Sequence, residues 1–439
     1  MPRNTIVNHH CSLFVYTISL VLAALSTVLA QAQSPSLTRA SGRRNADDRR
    51  ATAIGQTVAF EAGDRARLDP SVSIALEPAL AAGRSLRLVE TTNGQETPVP
   101  SQVESGNPPR LWWIMRGEIP ARSKRTYRID QGNSVAGPEV AVVREERQLD
   151  VRIGKNSVLR YNTAHVEPPA GADPKYGRSA HIHPVWTPSG AVVTDEFPPD
   201  HLHQSGIFLA YTKTEVEGRT PNFWDLLGGT GRVRFKGVRS TVGGAVFGEM
   251  RVDQEHVDLT VPGGKVALQE TWAVRVWNVG GPEAGYWIWD ITSELNCATP
   301  SPLQLKQYYY GGMALRGARD WDAAHCRFLT SEGKDRLAGN HTRPNWCDLT
   351  GPVGEGTAGL TFLTYPGNLR FPEPLRIHPT MPYMVYTPSQ LGDWEIVPAK
   401  PHVSRYRFVI HDGDLPAKTA DRLWQDWTQP LVASVVESK

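Results

Sequence analysis

The feature that most restricts the fold is a long succession of short apolar segments separated by turn residues, with almost no helical periodicity. From residue 55 onward, apolar and polar residues alternate over short runs, and Gly, Pro, Asn and Asp interrupt these runs. An alternation with a period of two is typical of strands that bury one face. We therefore predict an all-β protein built from two β-sandwich units, of which the second is large.

The smaller unit is predicted to span residues 53–137. Within it, residues 85–103 are typical of a hairpin, because Asn93-Gly94 favours a tight two-residue turn between alternating segments. Residues 110–129 add another pair of strands, interrupted at Pro120.

The large unit is predicted to span residues 138–430 and to contain two long strands joined at Gly280-Gly281-Pro282. In the second of these strands, alternate residues divide between two faces. One face is predicted to be core and consists of Trp287, Trp289, Ile291 and Leu295. The other face, which carries Asp290 and Glu294, is interpreted as a solvated outer face, with the floor of a polar cleft as the alternative.

One helix is predicted near the C-terminus, between Pro416, which suits a first turn, and Pro430, which ends it. An apolar stripe with helical spacing supports it, made of Ala420, Leu423, Trp424 and Trp427. We expect this helix to pack on the edge of the sandwich.

The N-terminus is typical of an exported protein. Residues 1–32 combine a weakly basic start, an apolar run and a small-residue end, which indicates a cleaved signal peptide, with an uncleaved anchor as the alternative. Residues 33–52 lack apolar periodicity and are interpreted as a disordered linker. No later apolar run approaches the roughly 20 residues that a membrane helix needs. We therefore predict a periplasmic or extracellular protein without membrane contact after cleavage.

The net charge gives no support for nucleic-acid binding, and the cysteine count limits the number of disulfides. A formal net charge of +2 gives no electrostatic footprint for nucleic acid. Cys297, Cys326 and Cys347 remain after removal of the signal peptide, so at most one disulfide can form within the chain, and the sequence does not select the pair.

Histidines are concentrated between residues 181 and 203. The segment "SAHIHPVW" carries His181 and His183, and "PPDHLHQSG" carries Asp200, His201 and His203. If the second segment is extended, its two imidazoles lie on the same side, about 6 to 7 Å apart. That spacing suits either two metal ligands or an acid and a base that flank one substrate. No third ligand with a recognised zinc spacing is present, and structural loop histidines are the alternative.

Aromatic and charged residues elsewhere are typical of sugar sites, where a ring stacks and polar groups bind hydroxyls. Trp224 lies in "EVEGRTPNFWDLLGG", and Arg316 follows the run Tyr308–Tyr310. The segment "NHTRPNWCDLTGP" adds Arg343, Trp346 and Asp348. Two arginines can clamp a carboxylate, as in a uronic acid. Core aromatics and surface arginines are the alternatives.

The segments "HPVWTPSG", "VTDEFPPDHLHQSGIF", "FWDLLGGTGRV", "YYYGGMALRG" and "RPNWCDLTGP" resemble the secreted bacterial family named methane oxygenase PmoA, over roughly residues 60 to 428. That family is similar to galactose-mutarotase-like and polysaccharide-lyase-like β-supersandwiches, so the resemblance implies this architecture for the large unit. Many members read His-His-Arg-Gly where this chain has His203-Gln204-Ser205-Gly206. The residues that match family motif positions are His183, Asp200, His201, His203, Trp224, Arg316, Arg343, Trp346 and Asp348.

The combined hypothesis is an exported carbohydrate-active enzyme that cleaves or rearranges a glycan-derived sugar. His201 and His203 are predicted to do acid/base work, with Asp200 or Asp348 orienting an imidazole. The predicted substrate-binding residues are His183, Trp224, Arg316, Arg343 and Trp346. No cofactor is predicted, and hydrolase, lyase and epimerase chemistry remain open. A non-catalytic sugar-binding protein and a metal-dependent oxygenase are the alternative functions. The sequence does not predict an oligomeric state.

Overall fold

The computed structural model describes residues 52–81, 85–92 and 94–436. The predicted signal peptide and all but the last residue of the predicted linker lie outside the described residues, and so does Asn93. Thr52, the last linker residue, is buried and bridges to Leu76. In the described part of the chain, no helix has the length and apolar character needed to cross a membrane.

The N-terminal strands form a small sandwich. Its five-stranded sheet has the order β29-β1-β9-β4-β5, and β3-β7-β6 and β2-β8 form the smaller sheets. Its strands are β1 Thr57–Glu61, β2 Arg67–Leu68, β3 Ser71–Ala75, β4 Leu86–Thr92, β5 Gln95–Val99, β6 Ser101–Glu104, β7 Arg110–Ile114, β8 Glu118–Ile119, β9 Lys124–Gln131 and, from the far end of the chain, β29 Ala433–Val436; the short helix α1 covers Pro78–Ala81. Phe60, Trp113 and Tyr127 meet in its core, with ring centroids 5.1 to 6.2 Å apart.

The hairpin predicted for residues 85–103 is confirmed, since β4 and β5 pair from Leu88↔Val99 to Thr92↔Gln95. Gly94 adopts a positive φ of 77°, as a tight turn requires. The strands predicted for residues 110–129 are present, but they do not pair with each other. Strand β7 pairs with β3 and β6, whereas β9 pairs with β1 and β4, so the chain crosses from one sheet to the other between them.

Two eight-stranded sheets form the large sandwich, which confirms the predicted all-β supersandwich. The first sheet has the order β10-β11-β12-β13-β14-β21-β26-β25. Its strands are β10 Val140–Arg144, β11 Gln148–Ile153, β12 Asn156–Asn162, β13 His181–Val185, β14 Ile207–Ala210, β21 Gly312–Arg316, β25 Leu375–Ile377 and β26 Tyr383–Tyr386.

The second sheet has the order β16-β17-β18-β19-β28-β24-β23-β22. Its strands are β16 Gly231–Val242, β17 Phe247–Asp258, β18 Lys265–Gly281, β19 Tyr286–Cys297, β22 Arg327–Thr330, β23 Trp346–Val353, β24 Gly356–Thr364 and β28 His402–Asp412. A three-stranded sheet joins β15 Thr214–Glu215, β20 Leu303–Leu305 and β27 Trp394–Ile396. The remaining helices are α2 Arg336–Gly339, α3 Ala417–Thr428 and the 3-10 turns Pro174–Tyr176 and Pro388–Leu391.

The two large sheets meet through aromatic side chains. Tyr386 of the first sheet lies 4.9 Å, centroid to centroid, from Phe362 of the second, and Phe362 stacks on Phe408 at 4.5 Å. Trp289 stacks on the other side of Phe408 at 4.3 Å, which confirms the predicted core face of β19. Fully buried rings of this size each contribute roughly 1.5–3 kcal/mol by leaving water.

Strand register gives the first sheet a second, polar face that points away from this core. Directly paired residues share a face, and the pairs Asn162↔His181, Phe208↔Ala314 and Arg316↔Tyr383 alternate with core pairs such as Ile207↔Leu315. We call the side with Arg316 and Tyr383 the polar face. Loops cover it and bring further side chains onto it.

Helix α3 and the small sandwich cover the outer side of the second sheet. Ala420 and Leu423 of the helix are buried there, so the predicted apolar stripe is confirmed. The same cover lies over Asp290, whose carboxylate is held by Arg407 through two hydrogen bonds of 2.7 and 2.9 Å. At Asp290 the interpretation as a solvated outer face was therefore wrong, and the alternative, the floor of a polar cleft, agrees with the structure, since Asp290 lines a cavity there.

The three cysteines of the described chain, Cys297, Cys326 and Cys347, are free thiols. Burial raises the pKa of the Cys347 thiol well above its ordinary value. No disulfide constrains the described part of the fold, and a core of this size does not require one.

Candidate functional site

Polar side chains converge where several strands of the first large sheet begin or end. Because neighbouring strands are antiparallel, the start of one strand lies beside the end of the next. The loop 198–206 enters β14 at this place, and Arg316 ends β21 there. Tyr383 begins β26 opposite Arg316, and His378 follows the end of β25. Four separate chain segments thus deliver side chains to one place.

The segment around the paired histidines is folded into two successive turns and is not extended as predicted. The first turn closes from the His201 amide to the Pro198 carbonyl, and the second from the Gln204 amide to the His201 carbonyl, each at 2.9 Å. The turns nevertheless bring the two rings together, with the centroids of His201 and His203 5.4 Å apart in an edge-to-face arrangement. The predicted proximity is confirmed, although its predicted cause was wrong.

Gly206 fixes the end of this loop against β13. Its φ is +51°, and a Cβ atom there would lie 2.0 Å from the Ile182 carbonyl oxygen. Its amide donates to Asp195 and its carbonyl accepts from the Arg316 amide, at 2.7 and 2.8 Å. Only glycine fits such a contact, so the loop and strand are locked together.

Arg316, at the end of β21, carries the central positive charge of this site and is only 3% exposed. Its guanidinium forms two hydrogen bonds to Asp200, of 3.2 and 3.0 Å, and one of 2.9 Å to the side-chain oxygen of Gln204. The side chain of Gln204 thus helps to hold the arginine in place.

A third imidazole, that of His378, lies beside the other two, 5.9 Å from the His201 ring. We call Asp200, His201, His203, Arg316 and His378 the histidine cluster. Burial lowers the pKa of His203 to about 4, and the neighbouring His201, when protonated, lowers it further. Burial and then Arg376 lower the pKa of His378 to about 4, and burial also lowers the pKa of His201. These imidazoles are therefore uncharged at neutral pH.

An aromatic wall borders the histidine cluster. Trp224 lies 6.3 Å from the His203 ring and 5.9 Å from both Tyr310 and Tyr383, measured between centroids. Tyr309 continues the wall toward solvent, 4.8 Å from Tyr310, and is 42% exposed. Trp224 thus lies beside His203, and its predicted role in substrate binding stays a prediction.

Two groups on this wall have unused hydrogen-bonding capacity. The Tyr383 hydroxyl is buried and has no hydrogen-bond partner among the described residues. Burial raises the pKa of Tyr383 well above its ordinary value, so the phenol stays protonated. Arg376 lies over the rings of Tyr309 and Tyr310, at 5.5 and 5.4 Å, and its Nε atom also lacks a partner in the described chain.

His183 lies on the polar face one strand away from the cluster. Its Nδ1 atom is 2.9 Å from the Thr194 hydroxyl, and burial lowers its pKa to about 4. The neighbouring His181 ring is hydrogen-bonded to Glu196. Arg178 donates to the His203 carbonyl at 3.4 Å. Among the described residues, no hydrogen bond or ring contact joins His183 to the histidine cluster.

Three predicted site residues do not join the cluster. Asp348 is buried within the second sheet, where it accepts hydrogen bonds from Thr350 and Thr361 and contacts His411 at 2.9 Å. It therefore orients His411 and does not orient His201 or His203.

The other two have structural contacts. The Trp346 ring nitrogen donates to Asp421 of α3 at 2.8 Å, and the ring is buried. The guanidinium of Arg343 donates to the carbonyls of Pro372 and Arg370 at 2.6 and 2.8 Å, which fixes a loop. Trp346 is a core residue at the helix interface, and Arg343 is a loop clamp.

Sequence reasoning missed His378, Tyr383 and Arg376 as members of the site. The segment "RIHPTMPY" offered a weak signal, because its histidine precedes a proline as His183 does. Nothing in that segment shows that β26 pairs with β21 and that β25 pairs with β26. In residues 52–81, 85–92 and 94–436, no three or more His, Cys, Asp or Glu side chains are grouped to hold a metal ion.

Comparison with solved structures gives two similarities at 9% sequence identity. An alpha-mannosidase from Enterococcus faecalis V583 is similar with a TM-score of 0.47, over 88% of this chain and 46% of that one. A glycosyl hydrolase family 38 protein from Enterococcus faecalis is similar with a TM-score of 0.41, over 87% and 47%. The chain thus spans about half the length of these structures.

No curated protein matches the chain in sequence. The family model of DUF6807, described as a family of unknown function, matches residues 148–425, which is more than half of the chain. This range contains both large sheets from β11 onward and the whole histidine cluster. The chain therefore belongs to the DUF6807 family.

Proposed function

We propose that the histidine cluster is the active site of an exported carbohydrate-active enzyme that takes a proton from a sugar carbon, as a lyase or an epimerase does. One observation carries the proposal: the rings of His203 and His378 lie 5.4 and 5.9 Å from the His201 ring, and Trp224 contacts both His203 and Tyr383, at 6.3 and 5.9 Å. The Tyr383 hydroxyl is buried and has no hydrogen-bond partner among the described residues. A proton acceptor and a proton donor at one site are the requirement for such chemistry.

His201 is the proposed base. Its side chain is 37% exposed, and its Nδ1 atom lies 3.9 Å from a carboxylate oxygen of Asp200. An uncharged imidazole can accept a proton, and the adjacent carboxylate then stabilises the imidazolium that forms. His203 and His378 are more strongly held in the uncharged state and are assigned to binding sugar hydroxyls.

Tyr383 is the proposed proton donor. In elimination, His201 takes a proton from a ring carbon, the carbon–oxygen bond on the neighbouring carbon breaks, and the departing oxygen takes the phenol proton. In epimerisation, the same carbon receives a proton on its opposite face. Arg376 is placed to bind an acidic group that makes the carbon proton easier to remove.

Hydrolysis with two carboxyl groups has less support. Retaining glycosidases hold two carboxyl groups about 5 to 5.5 Å apart. Both oxygens of Asp200 are bound by Arg316, and Glu196 is hydrogen-bonded to His181. Neither carboxylate is therefore free to act as an acid or a nucleophile.

The aromatic wall supports a sugar as the substrate. Tyr308, Tyr309 and Tyr310 form a run of neighbouring rings, with successive centroids 4.4 and 4.8 Å apart. Aromatic faces bind the apolar faces of sugar rings, while nearby polar groups bind the hydroxyls. The same wall also supports the second candidate, a sugar-binding protein without catalysis.

The test is incubation of the purified protein with neutral and uronate-containing oligosaccharides. Elimination is read as new ultraviolet absorbance from a carbon–carbon double bond, and epimerisation as new proton resonances. We expect turnover that is lost in His201→Gln and Tyr383→Phe. Saturable binding without product across the panel would favour the binding protein. Elemental analysis that finds stoichiometric copper or iron with oxygen consumption would favour the oxygenase.

A further inference from the structure

A cavity that no residue of the histidine cluster lines lies at the junction of the small sandwich, the second large sheet and helix α3. Its volume is about 230 Å³, and its lining includes residues 68–71, part of β18 and β19, and the last turn of α3. We call it the junction cavity. Three separate parts of the chain form its walls.

Indole rings form much of the wall. Trp112 of the small sandwich, Trp277 of β18 and Trp427 of α3 all line the cavity. The rings of Trp112 and Trp277 lie 5.4 Å apart and are tilted by 53°. Aromatic walls of this kind bind flat or ring-shaped apolar faces.

The floor of the cavity is polar, and its polar groups are hydrogen-bonded to one another. Asp290 accepts hydrogen bonds from the Trp277 ring nitrogen at 2.8 Å and from Arg407 at 2.7 and 2.9 Å. Arg407 also lies 5.2 Å from the Trp427 ring centroid. These contacts hold the floor and one wall in fixed positions without a ligand.

Asp426 has one oxygen that the protein leaves unused. Its Oδ1 atom is 2.9 Å from Arg67, but its Oδ2 atom is buried and has no partner in the described part of the chain. The side chain is only 6% exposed, and Asp426 lines the cavity. A buried unpaired oxygen costs roughly 1–3 kcal/mol. A ligand hydroxyl that donates to it would remove that cost.

The size and charge of the junction cavity limit its ligand. At about 30 Å³ per water molecule, its volume corresponds to about eight waters, below the range of roughly 300–1,000 Å³ for drug-sized ligands. Asp290 is paired with Arg407 and Asp426 with Arg67, whereas Asp69, which also lines the cavity, accepts a hydrogen bond from the Gly117 amide and has no ion pair among the described residues. This extra negative charge disfavours an anion. The fitting ligand is one uncharged ring with hydroxyl groups.

We propose that the junction cavity binds a single neutral sugar ring, separately from the histidine cluster. The indoles of Trp112, Trp277 and Trp427 contact the apolar faces of the ring, and the free oxygen of Asp426 accepts a hydrogen bond from a ring hydroxyl. This proposal does not depend on the proposed chemistry at His201, because no cluster residue lines the cavity. It gives the protein a second place at which to hold a glycan.

The test is titration of the full chain with the methyl glycosides of glucose, galactose, mannose and N-acetylglucosamine, followed by tryptophan fluorescence and saturation-transfer NMR. We expect at least one glycoside to bind saturably. Trp427→Ala should weaken that binding about tenfold, since one aromatic wall is lost. Ser71→Phe, which fills the cavity, should abolish it. Lys418→Ala, an exposed change on the same helix, is the matched control and should leave it unchanged.

Asp426→Asn tests the hydrogen bond with little change of shape and serves if the larger substitutions do not fold. It should weaken binding about fivefold or more, because the acceptor is altered. Absence of saturable binding by all four glycosides overturns the proposal. Equal binding by the wild type, Trp427→Ala and Ser71→Phe also overturns it, because the sugar would then lie elsewhere. Binding of benzyl alcohol alone would overturn the assignment to a sugar.

Discussion

The guanidinium of Arg316 and the carboxylate of Asp200 form a two-contact ion pair, with nitrogen–oxygen distances of 3.2 and 3.0 Å, across 116 residues of chain. The arginine is almost completely buried at the end of β21, whereas the Asp200 side chain is 43% exposed in the loop before β14. The pair therefore holds a surface loop to a rigid strand, and the loop carries His201 and His203.

Asp200→Asn should destabilise the protein by about 1–3 kcal/mol, because the buried guanidinium loses its counter-charge while the shape is kept. Asp64→Asn is the control. Asp64 also pairs with an arginine, at 3.2 Å, but both side chains are more than 80% exposed. Such a surface pair contributes about 0–1 kcal/mol. Urea unfolding of both variants measures the difference, and equal losses would contradict the structural role of the Arg316 pair.

His201→Gln should reduce turnover but not stability, whereas Asp348→Asn should reduce stability but not turnover. His201→Gln should reduce turnover about 100- to 10,000-fold with little change in stability, since it removes the base from an exposed loop. Asp348→Asn should leave the turnover of folded protein intact and reduce stability by about 2–4 kcal/mol, since it breaks the buried contact to His411. Active-site titration and urea unfolding separate the two. Loss of turnover in folded Asp348→Asn would return Asp348 to the site.

Gly206→Ala should be strongly destabilising, by about 3 kcal/mol or more, because its Cβ would overlap the Ile182 carbonyl at 2.0 Å. Gly190→Ala is the matched control. Gly190 also has a positive φ, +92°, but no atom lies within 4 Å of its added Cβ. That variant should show only the backbone cost of about 1–2 kcal/mol. Thermal unfolding of Gly206→Ala and Gly190→Ala measures the difference in Tm that the steric overlap causes. Equal decreases in Tm would show that the overlap with Ile182 is absent.

Stability should decrease as the pH falls from about 6.5 toward 4. Burial lowers the pKa of His183, His203, His378 and His402 to about 4 in the folded protein, from an ordinary value of 6.5. Between pH 6.5 and pH 4, these histidines bind protons in the unfolded chain but stay unprotonated in the folded chain, so protonation favours unfolding. His411 opposes this trend: burial lowers its pKa, but Asp348 outweighs burial and raises it overall.

The measurement is the midpoint of urea unfolding at several pH values between 4.5 and 7. His378→Gln should flatten the dependence, because it removes one of the imidazoles whose pKa is lowered in the folded protein. A midpoint that stays constant over this range would show that these rings are accessible to protons in the folded state.

The alternation of residues predicted much of the fold. The hairpin at Gly94, the long pair β18–β19 and helix α3 are local features, and each was specified by nearby turn residues or a helical stripe. The pairing of β14 with β21 was not predictable, because period-two patterning indicates which face a residue occupies but not which strand lies beside it. The whole site depends on that pairing.

The same limit explains which site residues were predicted. Asp200, His201 and His203 are neighbours in sequence, so their proximity followed from a short segment. Trp346 and Asp348 looked similar in composition, but β23 places them in the second sheet, where they serve a helix contact and a buried imidazole. Membership of the family named PmoA, and the domain limits at residues 137 and 430, stay predictions.

Strand β29 pairs with β1, from Thr57↔Val436 to Phe60↔Ala433, so one sheet of the small sandwich contains segments from opposite ends of the described chain. During synthesis the ribosome releases β29 only after both large sheets have emerged. The small sandwich can therefore begin folding early, but it gains its last strand only when the rest has been made. Folding of the small sandwich is therefore completed last. Removal of β29 should leave β1 as an unpaired edge strand that is open to proteolysis.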